Sequence, residues 1–321
     1  MRPFELTAPT TVDAAIAGAG TFLAGGTTLV DLMKLNVLTP QHVADINQLP
    51  LRGIEAGADG LRIGALARMS DVAAHPAVYP MISRALLQSA SQQLRNMASI
   101  GGNLMQRTRC GYFRDVAMPC NRRDPGSGCS AIDGANRMHA IFGTSDSCVA
   151  THASDLAVAL VAADARVKLV GPDGERTIAL ADFYRQPGDT PQIEHNIADG
   201  ELIAEVLVPR LDWASNSTYV KVRDRQSYEF ALASAAIALD IRDEHIADAR
   251  VAVGGVGTVP WRLPSVEREL RGAPLTVAAF EAAASVAADG AKTLSDNGYK
   301  PSLVKRTIVR TLLELTEGSR A

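Results

Sequence analysis

The chain has 321 residues, 47% of them hydrophobic and 21% charged, with a formal net charge of −3. These values exclude a disordered chain, and they exclude one drawn to nucleic acid or an anionic membrane by bulk charge. No apolar run approaches the ~18 residues of a membrane span. The opening residues, MRPFELTAPTTVDAA, lack the charged-then-apolar order of a secretory signal, so synthesis and folding in the cytoplasm are expected.

In chain order, PFEL reads as a strand and TVDAAIAGA as a short helix with Thr11 as its N-cap. TFLA is a strand, GGTTLVDLMKL a turn opening a helix, and HVADI a further strand, which together make a small β-α-β-α-β unit. GLRIGAL reads as a strand, SDVAAHPAV as a helix, and PMISRALLQSASQQL as one helix with Leu86, Leu87, Ala90 and Leu94 on a helical period. After a cysteine-bearing stretch, SDLAVALVAADA is a helix headed by Ser154 or Asp155. RVKLVG and RTIAL read as a hairpin around PDG, and ELIAEVLVP as a strand closed by Pro209. From Trp213 onward come strands STYVKVRDR, FALASAAIAL and IADARVAVGGV. Helices SVERELRG, TVAAFEAAASVAADG and PSLVKRTIVRTLLELTEG follow. Strands first and helices afterwards predict an α+β layer with helices on one face. The basic residues between 304 and 310 read as a solvated helix face.

All four cysteines, Cys110, Cys120, Cys129 and Cys148, fall in one polar, glycine-rich stretch spaced C-x9-C-x8-C-x18-C. Disulfides are one reading, but a chain of this size folded in the cytoplasm needs no staples. Structural zinc is another, but no C-x2–4-C pair is present. An iron–sulfur cluster is the third, since a cluster rather than a turn motif organises its loop and tolerates irregular spacing. Arg107, Arg109, Arg114, Arg122 and Arg123, with Gly126 and Gly128, offer charge and amides to an anionic cluster, or form an ordinary solvated loop.

FLAGGTTLVDLMK, from Phe22 to Lys34, places a strand, two glycines, two threonines and a helix in succession. That order suits a pyrophosphate cradle, although it is neither G-x-G-x-x-G nor a Walker loop. MASIGGNLMQ, from Met97 to Gln106, supplies a second Ser-x-Gly-Gly-Asn turn, and Asp155 heads a helix further on.

Taken together, these stretches resemble the FAD-binding subunit of the molybdenum hydroxylases, the xanthine dehydrogenase family. Ala24–Leu29 matches the family's A-G-G-T/S-x-L turn, Ser99–Asn103 its T/S-x-G-G-N turn, and Ser154–Leu160 its helix start; Lys221 matches a strand lysine of its last domain. The insertion at 107–150, with its QRTRC, PCNRR, PGSGC and CVATHASD runs, resembles that of a subgroup containing the flavin subunits of bacterial periplasmic aldehyde oxidoreductases and, more distantly, of 4-hydroxybenzoyl-CoA reductase. In that subgroup four cysteines bind a [4Fe–4S] cluster.

The resemblance implies an α+β fold with a PCMH-type FAD-binding domain at 1–210, in subdomains of about 1–55 and 56–210, and a C-terminal domain at 211–321. It implies that Phe22, Leu23, Ala24, Gly25, Gly26, Thr27, Thr28 and Leu29 hold the FAD pyrophosphate, with Ser99, Gly101, Gly102 and Asn103 closing over phosphate or ribityl. Asp155, Ile203 and Lys221 would lie near the isoalloxazine, although Ile203 also reads as a plain core residue of its strand. Cys110, Cys120, Cys129 and Cys148 would ligate the cluster. The implied function is electron transfer: a molybdopterin-binding large subunit oxidises substrate, an aldehyde by closeness of the insertion, and a [2Fe–2S] small subunit passes the electrons on. They leave through this chain to an external acceptor, and export to the periplasm would depend on a signal carried by a partner. The alternatives are a free-standing PCMH-fold FAD oxidoreductase and the subunit of an N-heterocycle hydroxylase. No catalytic acid, base or nucleophile stands out. His42, His75, His139, His152, His195 and His245 are scattered, and His152 beside the Asp155 motif reads as structural before it reads as a proton shuttle.

Overall fold

The computed structural model describes residues 1–18 and 20–317; Ala19 and Gly318, at the ends of two predicted helices, lie outside the described residues. Thr11 accepts a hydrogen bond from the Ala14 amide and so starts the first helix where its hydroxyl predicts. The first unit runs β1 (Glu5–Thr7), α1 (Val12–Ala17), β2 (Thr21–Leu23), α2 (Leu29–Lys34) and β3 (His42–Asp45). Its strands are parallel in the order β1-β3-β2, as helical crossovers require.

The second unit contains β4 (Ile54–Gly57), β5 (Gly60–Gly64), α3 (Met69–Ala74), α4 (Pro80–Leu87), α5 (Gln92–Met97), α6 (Ile100–Leu104), α7 (Gly111–Arg114), α8 (Asp155–Ala162), β6 (Arg166–Gly171), β7 (Gly174–Ala179), α9 (Leu180–Phe183) and β8 (Leu202–Pro209). The sheet is antiparallel in the order β4-β5-β8-β6-β7, and helices α3, α4 and α8 share one apolar core with it. Two sequence expectations change here, and one strand was not expected. The single helix over 80–94 is two helices, because Ala90 takes a left-handed φ of 49° and Ser91 caps α5 by accepting the Leu94 amide. The turn at 97–106 contains helix α6, capped by Ser99. Strand β4 is exposed along most of its length, so no apolar alternation announces it.

The third unit runs β9 (Ser217–Val222), β10 (Ala233–Arg242), β11 (His245–Gly254), β12 (Trp261–Arg262), α10 (Pro264–Leu270), α11 (Val277–Ser285) and α12 (Lys300–Glu317). Its antiparallel sheet has the order β12-β11-β10-β9. Ala233, Ala235, Ile237 and Leu239 of β10 pack with α10, α11 and α12. The alternate residues Ala236 and Ala238 join the core of α4 and α8. The sheet's own helices thus cover one face as expected, while the second unit covers the other. β10 reads as an almost continuous apolar run for that reason.

Candidate functional site

The two glycine turns meet. A Cβ added to Gly25 would fall 2.0 Å from the Met97 carbonyl oxygen, so only glycine permits this approach. Arg68 fastens the junction by donating to the Met97 carbonyl and to Asn47 Oδ1, while Asn47 Nδ2 donates to the Ala24 carbonyl at 2.8 Å. Val30 and Leu32 donate back to the Gly26 and Thr28 carbonyls. The amides of Gly25, Gly26, Thr27 and Thr28 have no acceptor among the described residues, and Gly26 has a φ of +71°. A row of unpartnered amides at a strand–helix turn is an anion cradle. Arg109, half-buried, approaches Thr28 Oγ1 at 3.5 Å.

The second turn props the first and spends its own polar groups in doing so. Gly101 donates to the Ala65 carbonyl, Gly102 to Ser99 Oγ, and Asn103 to the Ser99 carbonyl. Asn103 Oδ1 accepts from Ser154 Oγ at 2.5 Å, which ties this turn to the start of α8. Next to Ser154, buried Asp155 accepts from Lys221 Nζ at 2.8 Å, from Tyr219 at 2.5 Å and from Ser89 at 3.1 Å. Lys221 is 1% exposed, so the pair is a buried ion pair joining the second unit to β9. Burial and the Asp155 charge hold the Tyr219 hydroxyl well above its ordinary pKa. Ile203 lies in the core strand β8 and lines none of the described cavities.

A cavity of about 530 Å³ lies between the cysteine stretch and the edge of the third unit. Arg109, Cys110, His139, His152, Asp155 and Ser234 are on its wall. Through Arg109 it reaches the glycine turn, and at its far end it reaches Asp155. Three buried polar atoms of its wall residues, His139 Nδ1, His152 Nε2 and Ser234 Oγ, have no partner within the described residues. His152 Nδ1 accepts the Ser154 amide, which puts the ring proton on Nε2. Burial, then His195 and Arg122, lowers the His152 pKa to about 3. The unpartnered amides, the orphaned donors and the cavity between units suit an elongated phosphate-bearing ligand with a polar head group, as FAD is.

All four cysteines are unpaired and surround one small cavity. Cys120 and Cys129 face each other in an antiparallel bridge. The Tyr112 and Phe113 amides point at Cys110, those of Ala131 and Val149 at Cys129, and that of Ala150 at Cys148. His139 Nε2 is 3.2 Å from the Cys110 sulfur. Burial pushes the Cys110 thiol up to about 11. Among the described residues, no three His, Cys, Asp or Glu side chains converge tightly enough to hold a single metal ion. The space between the thiols is about 10 Å³, roughly one water. Four thiols with backbone amides aimed at their sulfurs are the donor type an iron–sulfur cluster takes, and the thiols would have to part to admit one.

Of the groups expected to offset a cluster's charge, Arg123 and the Gly126 and Gly128 amides are spent on the stretch itself. Arg123 donates to the Tyr112 and Phe113 carbonyls, and Asn121 accepts the Gly126 and Gly128 amides. Glu194, from the irregular segment after α9, pairs with both Arg107 and Arg122.

Comparison with known proteins supplies the family. Residues 2–211 match the family described as FAD binding domain in molybdopterin dehydrogenase, and residues 218–315 match the CO dehydrogenase flavoprotein C-terminal domain. The chain is 46% identical over 299 residues to the aldehyde oxidoreductase FAD-binding subunit PaoB of Escherichia coli (strain K12), covering 91% of this chain and 90% of that one. It is 27% identical to the carbon monoxide dehydrogenase medium chain of Hydrogenophaga pseudoflava, covering 96% of each. In fold it follows the solved carbon monoxide dehydrogenase of that organism, with a TM-score of 0.76 over 98% of both chains. With its glycine cradle, its inter-unit cavity and both family regions in place, the chain belongs to the FAD-binding subunits of the molybdenum hydroxylases and is a FAD-dependent oxidoreductase subunit.

Proposed function

We propose that this chain is the electron-transfer subunit of an aldehyde-oxidising molybdenum hydroxylase, carrying FAD and a [4Fe–4S] cluster. The observation that carries the reading is a shared wall: Cys110 and Tyr112 line both the four-thiol cavity and the large cavity that reaches Asp155. The amides of Gly25–Thr28 would hold the FAD pyrophosphate within the Phe22–Leu29 turn, which Ser99, Gly101, Gly102 and Asn103 brace. Asp155 would set the isoalloxazine end with Lys221 paired to it and Ile203 remaining a core residue of β8, with 1–210 as the FAD domain and 211–321 as the C-terminal domain. Cys110, Cys120, Cys129 and Cys148 would ligate the cluster. FAD and the cluster, when bound, supply reversible electron storage, and the protein contributes their position and charge environment. The 46% identity to an aldehyde oxidoreductase subunit supports an aldehyde substrate, oxidised in a molybdopterin-binding partner and connected through a [2Fe–2S] partner. Electrons would pass to an external acceptor. No helix among the described residues is long and apolar enough to cross a membrane. Cytoplasmic residence, or periplasmic residence by export with a signal-bearing partner, completes the reading.

The test is an anaerobic absorbance spectrum of the purified chain with iron and acid-labile sulfide measured on the same sample. Flavin with about four irons and four sulfides supports both cofactors. Flavin with one zinc and no sulfide removes the cluster and keeps the flavin subunit. Purification as a flavoprotein without partners, active on substrate alone, would replace the electron-transfer reading with a free-standing oxidoreductase.

A further inference from the structure

Arg122 is buried, with its side chain 6% exposed. One guanidinium nitrogen donates to Glu194 Oε2 at 2.5 Å, and another approaches the Cys148 sulfur at 3.6 Å. Its Nε has no partner among the described residues. Glu194, itself 11% exposed, also pairs with Arg107, which is 21% exposed and stacks over Phe113. Two guanidinium groups thus share one carboxylate, which leaves one positive charge in excess in a nearly dry place. The neighbouring rings do not offset it: the pKa values of His152 and His195 are lowered, first by desolvation and then by charges that include Arg122. An uncompensated buried charge is strongly unfavourable. The group toward which this charge points is the Cys148 sulfur, which the Ala150 amide also faces. That sulfur is therefore the group on which the excess charge and its donor act.

We infer that Arg122, oriented by Glu194, is the residue that fixes the charge balance at Cys148 and raises the reduction potential of the cluster proposed for the four thiols. The inference rests on the cluster reading of those thiols. A positive charge and a hydrogen-bond donor on a ligating sulfur favour the more negative, reduced cluster, so the potential rises. Glu194 belongs to a segment outside the cysteine stretch, so the charge at the metal site is set partly from the body of the second unit.

The experiment compares the full chain, with any subunits that accompany it, as wild type, Arg122→Lys and Arg122→Gln. Iron, sulfide and FAD per chain are measured, and the cluster midpoint is followed by a redox titration monitored by electron paramagnetic resonance. The expected result is unchanged FAD, with a midpoint that becomes more negative in Arg122→Lys and more negative still in Arg122→Gln. If Arg122→Gln binds no iron, a lowered midpoint in Arg122→Lys still supports the inference. Equal midpoints in iron-replete wild type and variant overturn it, as does loss of iron from both variants, which would mark Arg122 as a structural support. Wild-type protein with FAD but neither iron nor sulfide removes the cluster reading itself, a result distinguishable from failure of the role given to Arg122.

Discussion

The glycine-turn region and the cysteine stretch are ordered in opposite ways. The first is set by regular elements: β2 delivers the turn, α2 leaves it, and the backbone contact at Gly25 locks it against the end of α5. Between Cys110 and Cys148 the only helix is the four-residue α7, and order comes from side chains reaching back to the main chain. Arg123 and Asn121 perform there the work that ladders perform elsewhere. A turn built from its own strand and helix holds its shape whether or not its ligand is bound. A stretch stitched by a few hydrogen bonds, each worth about 1 kcal/mol, depends far more on the group it encloses.

Cys120→Ala is the largest test of that contrast. It should abolish iron and sulfide binding and expose residues 107–150 to limited proteolysis, while FAD stays near one per chain by absorbance. Joint loss of flavin would mean that the two regions are a single unit. Asp155→Asn leaves both regions' internal bonds intact and strands Lys221, so unfolding in denaturant should detect a loss of about 3–5 kcal/mol. An unchanged midpoint and slope would show that Lys221 finds solvent. Gly25→Ala drives a methyl into the Met97 carbonyl. The expected effect is a loss of about 1–3 kcal/mol together with weakened FAD retention on a desalting column, with iron content unchanged. Retention of FAD with full stability would show that the turns part without consequence.

The last test concerns acidity at two imidazoles beside the cysteine stretch. His152 and His195 have folded pKa values of about 3 and about 4, mainly through burial. Below an ordinary imidazole pKa of ~6.5 the unfolded chain takes up protons that the folded chain refuses. Stability should therefore fall between pH ~6.5 and ~4, by up to about 1.4 kcal/mol per pH unit for each ring. Thermal unfolding of His152→Gln over that range should show a shallower slope than wild type, and an identical slope would place the titration elsewhere.

Much of this arrangement was legible in the sequence because it is local. Thr11 and Ser154 mark helix starts, and Gly25 and Ser99 mark turns, through chemistry confined to four or five residues, although the short helix that Ser99 caps was not legible. The clustering of the cysteines announced their convergence. Glu194 was not legible, because nothing in an irregular segment predicts that it crosses to Arg107 and Arg122. The break at Ala90 was hidden for the opposite reason. The helical period continues through it, and the left-handed residue that ends α4 is an alanine, which carries no turn signal. Lys300 looks like a surface cation at a helix start, yet it is fully buried and donates to the Gly255 carbonyl at 2.6 Å and the Met138 carbonyl at 3.1 Å. Its partners lie far away along the chain, beyond the reach of periodicity.

Strand β10, apolar on both faces, bears on the order in which this protein is made. Helices α4 and α8 leave the ribosome long before Ala236 and Ala238, so the strand arrives at a surface already formed to receive it. Synthesised alone, the C-terminal third would present that alanine-lined face to water with nothing to cover it. The division into domains that the sequence suggests is therefore not a division into parts that can be produced separately and joined afterwards.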